Sequence, residues 1–128
     1  MSLRNLLTVA AIIAFVFGLG FVLIPAQLSS LYNVALNPGG SFIGQLFGAA
    51  LIGFAVLNWF ARGVKDSQAL QAILLANLIG DGVGFVFALI AQVTGVAGVN
   101  QLGWLTVAIY LLLTLGFAYF QFMKPSAP

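Results

Sequence analysis

The chain contains no cysteine and no histidine. Without cysteine there is no disulfide framework, no thiolate nucleophile and no thiolate-bound metal, and the redox compartment cannot be read from cysteine usage. Without histidine the commonest metal ligand, the usual haem ligand and the side chain most used as a general base are all missing. Charge is almost as scarce, with 4 Lys+Arg and 2 Asp+Glu making up 5% of 128 residues, where soluble domains average roughly a quarter. The two acids are Asp66, at the edge of a hydrophobic run, and Asp81, well inside it, too far apart along one span for a paired-carboxylate site. Serine, threonine and tyrosine have no basic partner to activate them. Four scattered basic residues form no patch, so nucleic acid is not an expected partner. A non-enzymatic protein without cofactor or metal is the expectation.

What the chain does have is apolar sequence, 62% of its residues. Four runs stand out, at residues 6–24, 42–60, 69–93 and 104–122. The first would span about 28 Å as a helix, close to the roughly 30 Å of bilayer hydrocarbon. The fold class expected is all-α: a polytopic membrane protein in which four transmembrane helices form an up-down antiparallel bundle, one domain over residues 1–128. The connections are short enough to make sequential helices neighbours. A cleaved signal peptide is the other reading of the first run, since Arg4 precedes it, but the apolar core is too long and Ile24-Pro25-Ala26 is a poor cleavage site.

The connections carry their own signals. Pro25 ends the first run, and Gln27 to Leu36 suits either a short helix at the membrane surface or an irregular loop. Asn37-Pro38-Gly39-Gly40 reads as a turn, with Ser41 placed to cap the second span. In the second span Gln45 and Asn58 lie toward the two ends, where water or headgroups would satisfy an amide, and Trp59 and Trp104 suit interfacial belts. The segment ARGVKDS, residues 61–67, is a wet connection in which Asp66 or Ser67 caps the third span. Arg4, Arg62, Lys65 and Lys124 all fall in the amino tail, second connection and carboxyl tail. The positive-inside rule then places both termini in the cytoplasm.

The chemistry centres on AILLANLIGDGVGFVFALIAQ, residues 72–92. Ala72, Ala76, Gly80, Gly84 and Ala88 recur every four residues, a ridge along which another helix could approach closely, and Gly44 with Gly48, then Ala49 with Gly53, repeat the pattern in the second span. Asp81 lies near mid-span, where an ionisable side chain costs roughly 2.5–3.5 kcal/mol on insertion scales. No cation lies at its depth, so the neutral, protonated form is expected. Counting from the span ends puts Thr114 level with Asp81 and Tyr110 about one turn outward. Both, with Asn77, are candidate hydrogen-bond partners. Asp81 is thus either a polar pin that fixes helix register, a ligand or proton site, or a contact with another subunit. A helix break at Gly80-Asp81-Gly82, of the kind transporters use, is a further alternative. A metal site from Asp81, Asn77 and Thr114 would have one anionic ligand, thin even for a hard cation.

The segments LRNLLTVAAIIAFVFGLGFVLIPAQL, FIGQLFGAALIGFAVLNWFAR, GFVFALIAQ and GWLTVAIYLLLTLGFAYF together resemble small four-span bacterial inner-membrane proteins of unknown function, broadly DoxX-like. That resemblance implies a bacterial cytoplasmic membrane and carries no site residue over. In size and hydrophobicity the chain is also similar to small multidrug-resistance transporters, whose site uses a membrane-embedded Glu in the first helix; here the first span has no acid. The leading expectation is an integral membrane protein that packs as an accessory subunit of a membrane assembly, with itself or a larger complex, or that holds a lipid or other lipophilic ligand between its helices. The rival is a small proton-coupled transporter of a hydrophobic or cationic solute using Asp81.

Overall fold

A computed structural model describes residues 1–123, so Lys124, the last basic residue used for orientation, lies outside the described residues. Among the described residues every regular element is helical. Helix α1 runs Leu3–Leu23, α2 Pro25–Leu31, α3 Pro38–Ala61, α4 Ser67–Thr94 and α5 Gly103–Ala118, followed by a π-helical turn over Tyr119–Met123. Four stretches, Leu3–Leu23, Pro38–Ala61, Ser67–Thr94 and Gly103–Met123, are long and apolar enough to cross a membrane. They are the four expected spans, each bounded within a few residues of where the hydrophobic runs end.

Local chemistry sets those boundaries. The Ser2 side chain accepts from the Asn5 amide at 3.1 Å to cap α1, and Pro25 starts α2 at the position where a missing N–H costs nothing. The segment after α1 is therefore helical over Pro25–Leu31 and a loop beyond it, combining the two alternatives. Ser41 is not the cap of α3. That helix starts at Pro38, and the Asn37 side chain accepts from Gly40 N; a proline after an Asx residue begins a helix as readily as a turn. Asp66 caps α4 by accepting from Gln68 N at 3.2 Å, and Gly95, with φ of 68°, closes its other end in the left-handed conformation that glycine adopts freely. Between them α4 is one continuous helix of 28 residues, about 42 Å long. There is no break at Gly80-Asp81-Gly82.

The spans alternate up and down, but they pack as two hairpins rather than as four equal neighbours. Helices α1 and α3 form one closely packed pair and α4 and α5 the other, while α3 and α4, though joined by a short connection, meet only sparsely. The close backbone-to-backbone contact lies in the first pair. A Cβ on Gly48 would sit 2.7 Å from the Gly18 carbonyl oxygen, and one on Gly18 would sit 3.0 Å from the Gly48 carbonyl oxygen. Backbone touches backbone there, and only glycine permits it.

The hairpins join at their two ends. At the end carrying Arg4, Arg62 and Lys65, a core of Leu6, Leu7, Leu70, Leu74, Phe117 and Phe120 draws on α1, α4, α5 and the π-helical turn, with Ala61 from α3. At the opposite end the bonds are polar. The Asn100 side chain donates to Leu31 O at 2.9 Å and its backbone N–H to Tyr32 O at 3.1 Å, while Asn33 Nδ2 donates to Gly98 O at 3.1 Å. Asn33 adopts φ of 63°, a left-handed conformation that asparagine tolerates better than most residues. Apolar burial therefore fastens one end and loop hydrogen bonds the other.

Candidate functional site

Between these fastenings the hairpins part around a partly enclosed cavity of about 300 Å³ with walls from all four spans. Its apolar walls include Phe17, Phe47 and Phe54, and its polar ones Asn58, Asn77, Asp81, Thr106 and Tyr110. Gly80 and Asp81 face the cavity from the middle of α4, so the chain's one acid deep in a span stands beside a space of ligand size.

The three candidate partners of Asp81 are placed near it but do not bond to it; the side chains of Asn77 and Thr114 bond elsewhere. Asn77 Nδ2 donates to Asn58 Oδ1 at 2.8 Å, and Asn58 Nδ2 donates back to Asn77 Oδ1 at 2.9 Å. A further bond runs from Asn77 Nδ2 to Ile73 O at 2.9 Å. This reciprocal amide pair bridges α3 and α4, and Asn58 is only 2% exposed. The expectation that water or headgroups satisfy Asn58 is thus corrected: measured along α3 it lies near a terminus, but α4 and the core cover that end. Depth counted on one helix misses cover supplied by another.

Thr114 is level with Asp81 as expected, since a Cβ on Gly82 would lie 3.8 Å from Thr114 Cγ2. Its hydroxyl, however, donates to Tyr110 O in its own helix at 2.6 Å, the back-bonding habit of threonine in helices, and the methyl lies toward Gly82. The Tyr110 ring lies on Gly84, where any Cβ would overlap it. Among the described residues no group donates a hydrogen bond to Asp81, and its Oδ2 is buried without a partner. The polar pin made by Asn77, Thr114 or Tyr110 is not formed. The polar tie between α3 and α4 is the Asn58–Asn77 pair instead.

The small-residue ridge also behaves differently along its length. Ala72, Ala76 and Gly80 are exposed and Ala88 is half-buried; a Cβ on Gly80 would meet nothing within 4 Å. Of the ridge's two glycines only Gly84 receives a close neighbour, and that neighbour is an aromatic ring rather than a helix backbone. In α3, Gly48 makes the backbone contact, Gly44 has ordinary contacts with Pro25 and Phe21, and Gly53 faces open space. Periodicity marked all these positions equally, and only Gly18, outside any four-residue row singled out, completes the tight pair.

No family profile, curated protein or solved structure matches the chain. The site must therefore be read from its own chemistry. Among the described residues no group of three or more acidic side chains could hold a metal ion. A largely apolar cavity with an unpartnered carboxyl group suits an apolar molecule carrying one hydrogen-bond donor or one positive charge.

Proposed function

We propose that the protein is a non-enzymatic membrane protein that holds a lipophilic molecule between its two helical hairpins. The single observation that carries this reading is the cavity itself: about 300 Å³, faced by Phe17, Phe47 and Phe54, with Asp81 beside it lacking a hydrogen-bond donor. Leaving a buried acceptor unmatched costs about 1–3 kcal/mol, and a ligand hydroxyl or amine would recover that cost. The aromatic walls favour the apolar body of such a ligand and, where the head is an amine, its charge as well. A bacterial cytoplasmic membrane with both termini inside is the proposed setting, from the family resemblance and from Arg4, Arg62 and Lys65 standing together at one end. Assembly with a second copy or a larger complex belongs to the same non-enzymatic reading.

Mass spectrometry of the protein released from mild detergent tests the proposal. The parent should carry a lipophilic small molecule. Ala14→Phe, which fills the cavity from α1, should fold and lose it. Retention of the same molecule by a folded Ala14→Phe protein would place the ligand elsewhere.

A second reading, a proton-coupled transporter of a cationic solute, is favoured by Asp81 being a lone exchangeable carboxyl group. In that case the affinity for a lipophilic cation rises with pH in the parent, and Asp81→Asn removes the dependence. A pH-independent affinity in the parent would leave the holding function alone.

A further inference from the structure

A second, separate feature lies on the outer face of the α1–α3 hairpin. Ala11 and Ala55, only 3% and 4% exposed, form the floor of a groove of about 280 Å³. Exposed Ile12, Phe15, Val16, Val56, Trp59 and Phe60 wall it. The groove exists because two alanines meet where every neighbour is large. It runs from Ala11 to Val16 and from Ala55 to Phe60, close to 8 Å along each helix.

At the basic end of the groove stands a fixed guanidinium group. Arg62 lies 3.5 Å above the centre of the Trp59 ring, donates from Nε to Trp59 O at 2.8 Å, and reaches across to α1 through Nη1 to Thr8 Oγ1 at 3.4 Å. Thr8 Oγ1 in turn donates to Arg4 O at 2.8 Å. Arg4, Thr8, Ile12 and Val16 are spaced four apart on one helix stripe, so a second arginine, the exposed Arg4, continues the line of the groove. A guanidinium group has five N–H donors, and these contacts engage two of them. The chain has only two acids, Asp66, which caps α4, and Asp81 beside the central cavity.

We propose that this groove is a specific site for an anionic phospholipid. One acyl chain lies over Ala11 and Ala55, and the phosphate sits on the remaining donors of Arg62 with Arg4 adding a second positive charge. Charge complementarity and position select this occupant. The groove is apolar along its length and cationic at the end where Trp59 marks the interface, which is the layout of a lipid with its headgroup. A second copy docked here symmetrically would instead bring one Arg62 toward another, an arrangement of like charges. The site lies outside the hairpin pair, so it stands or falls independently of the central cavity.

The test uses full-length protein stripped of lipid in detergent, with native mass spectrometry and thermal melting as readouts. The probes are dioleoyl-phosphatidylglycerol, dioleoyl-phosphatidylcholine and inorganic phosphate. The parent should retain one phosphatidylglycerol in preference to phosphatidylcholine, by about fivefold for each arginine engaged. Its melting temperature should rise with phosphatidylglycerol and not with inorganic phosphate. Arg4→Gln, at an exposed position, should melt like the parent without lipid and lose about fivefold of the preference. Arg62→Gln should lose more, and Val56→Trp should weaken retention of both lipids by filling the groove. Equal retention of the two lipids by the parent, an unchanged preference in both arginine variants, or full stabilisation by inorganic phosphate alone would each overturn the proposal. The last of these would make it a free-anion site.

Discussion

At the scale of single residues the account rests on two amides and one acid. Asn58 and Asn77 satisfy each other across α3 and α4 with two hydrogen bonds, and intramembrane hydrogen bonds are worth about 0.6 kcal/mol on average. Asn58→Leu should therefore lower unfolding stability by roughly 1–2 kcal/mol, since it also leaves Asn77 with orphaned groups. Asn58→Leu with Asn77→Leu together should cost less than the sum of the two single changes, because neither amide is then left unpaired. Unfolding titrations of the four proteins in mixed micelles measure this, and strict additivity would show that the pair is not coupled. Asp81 was legible in the sequence as the acid deep in a span. Its lack of a partner was not, because a threonine hydroxyl can turn to its own helix and an asparagine can find another asparagine, neither of which leaves a trace in spacing. Asn58 gave one signal that could have been used: an amide inside an apolar run needs a partner, and Asn77 is the only other asparagine within the four apolar runs at residues 6–24, 42–60, 69–93 and 104–122.

At the scale of elements, helix packing is decided by which small residues face a neighbour. Gly48→Leu would force a side chain into the α1 backbone at Gly18, and overpacking of this kind typically costs about 1–3 kcal/mol. Gly53→Leu, directed into open space, should melt close to the parent. Comparable losses in both, measured by thermal melting in detergent, would mean that α1 and α3 are not held by this contact. The four spans could be read from hydrophobic length because bilayer thickness fixes it. The start of α3 at Pro38 rather than after Ser41 could not, since proline serves turns and first helical turns alike. The pairing of helices was equally hidden, as every span is apolar on all sides and carries little directional signal.

The polar fastening at the other end of the bundle makes a further prediction. Asn100 donates from its side chain to Leu31 O at the end of α2 and from its backbone to Tyr32 O, and its carbonyl accepts from Gln92 Nε2 at 3.0 Å. Asn100→Ala removes the Nδ2 bond to Leu31 O and keeps the backbone bond to Tyr32 O, so it should leave the bundle folded but loosen the α4–α5 connection against the end of α2. A spin-label pair at positions 34 and 97 should then show a broader distance distribution than in the parent. An unchanged distribution would assign the fastening to the backbone bond to Tyr32 O and to Asn33 and Gly98 instead.

At the scale of the whole molecule, two hairpins fastened at their ends and parted at mid-height enclose the cavity on which the proposed holding function rests. The apolar core closes the end with Arg4, Arg62 and Lys65, the loop hydrogen bonds close the other, and Asp81 stands beside the space between. In the proposed orientation, with the basic end in the cytoplasm, Tyr32 and Asn100 face the outside. Cysteines at those two positions should react with an impermeant maleimide in intact cells, and reaction only after lysis would reverse the orientation.

The holder claim is tested most directly by photolabelling in lipid bilayers with a diazirine-bearing long-chain amine, followed by peptide mapping of the labelled residues. The account predicts labels on cavity residues such as Phe17, Phe54 and Ile109, with competition by the unlabelled amine and much weaker labelling in Ala14→Phe. Labels confined to outward-facing residues such as Val86 and Leu112, unaffected by competitor or by Ala14→Phe, would contradict it.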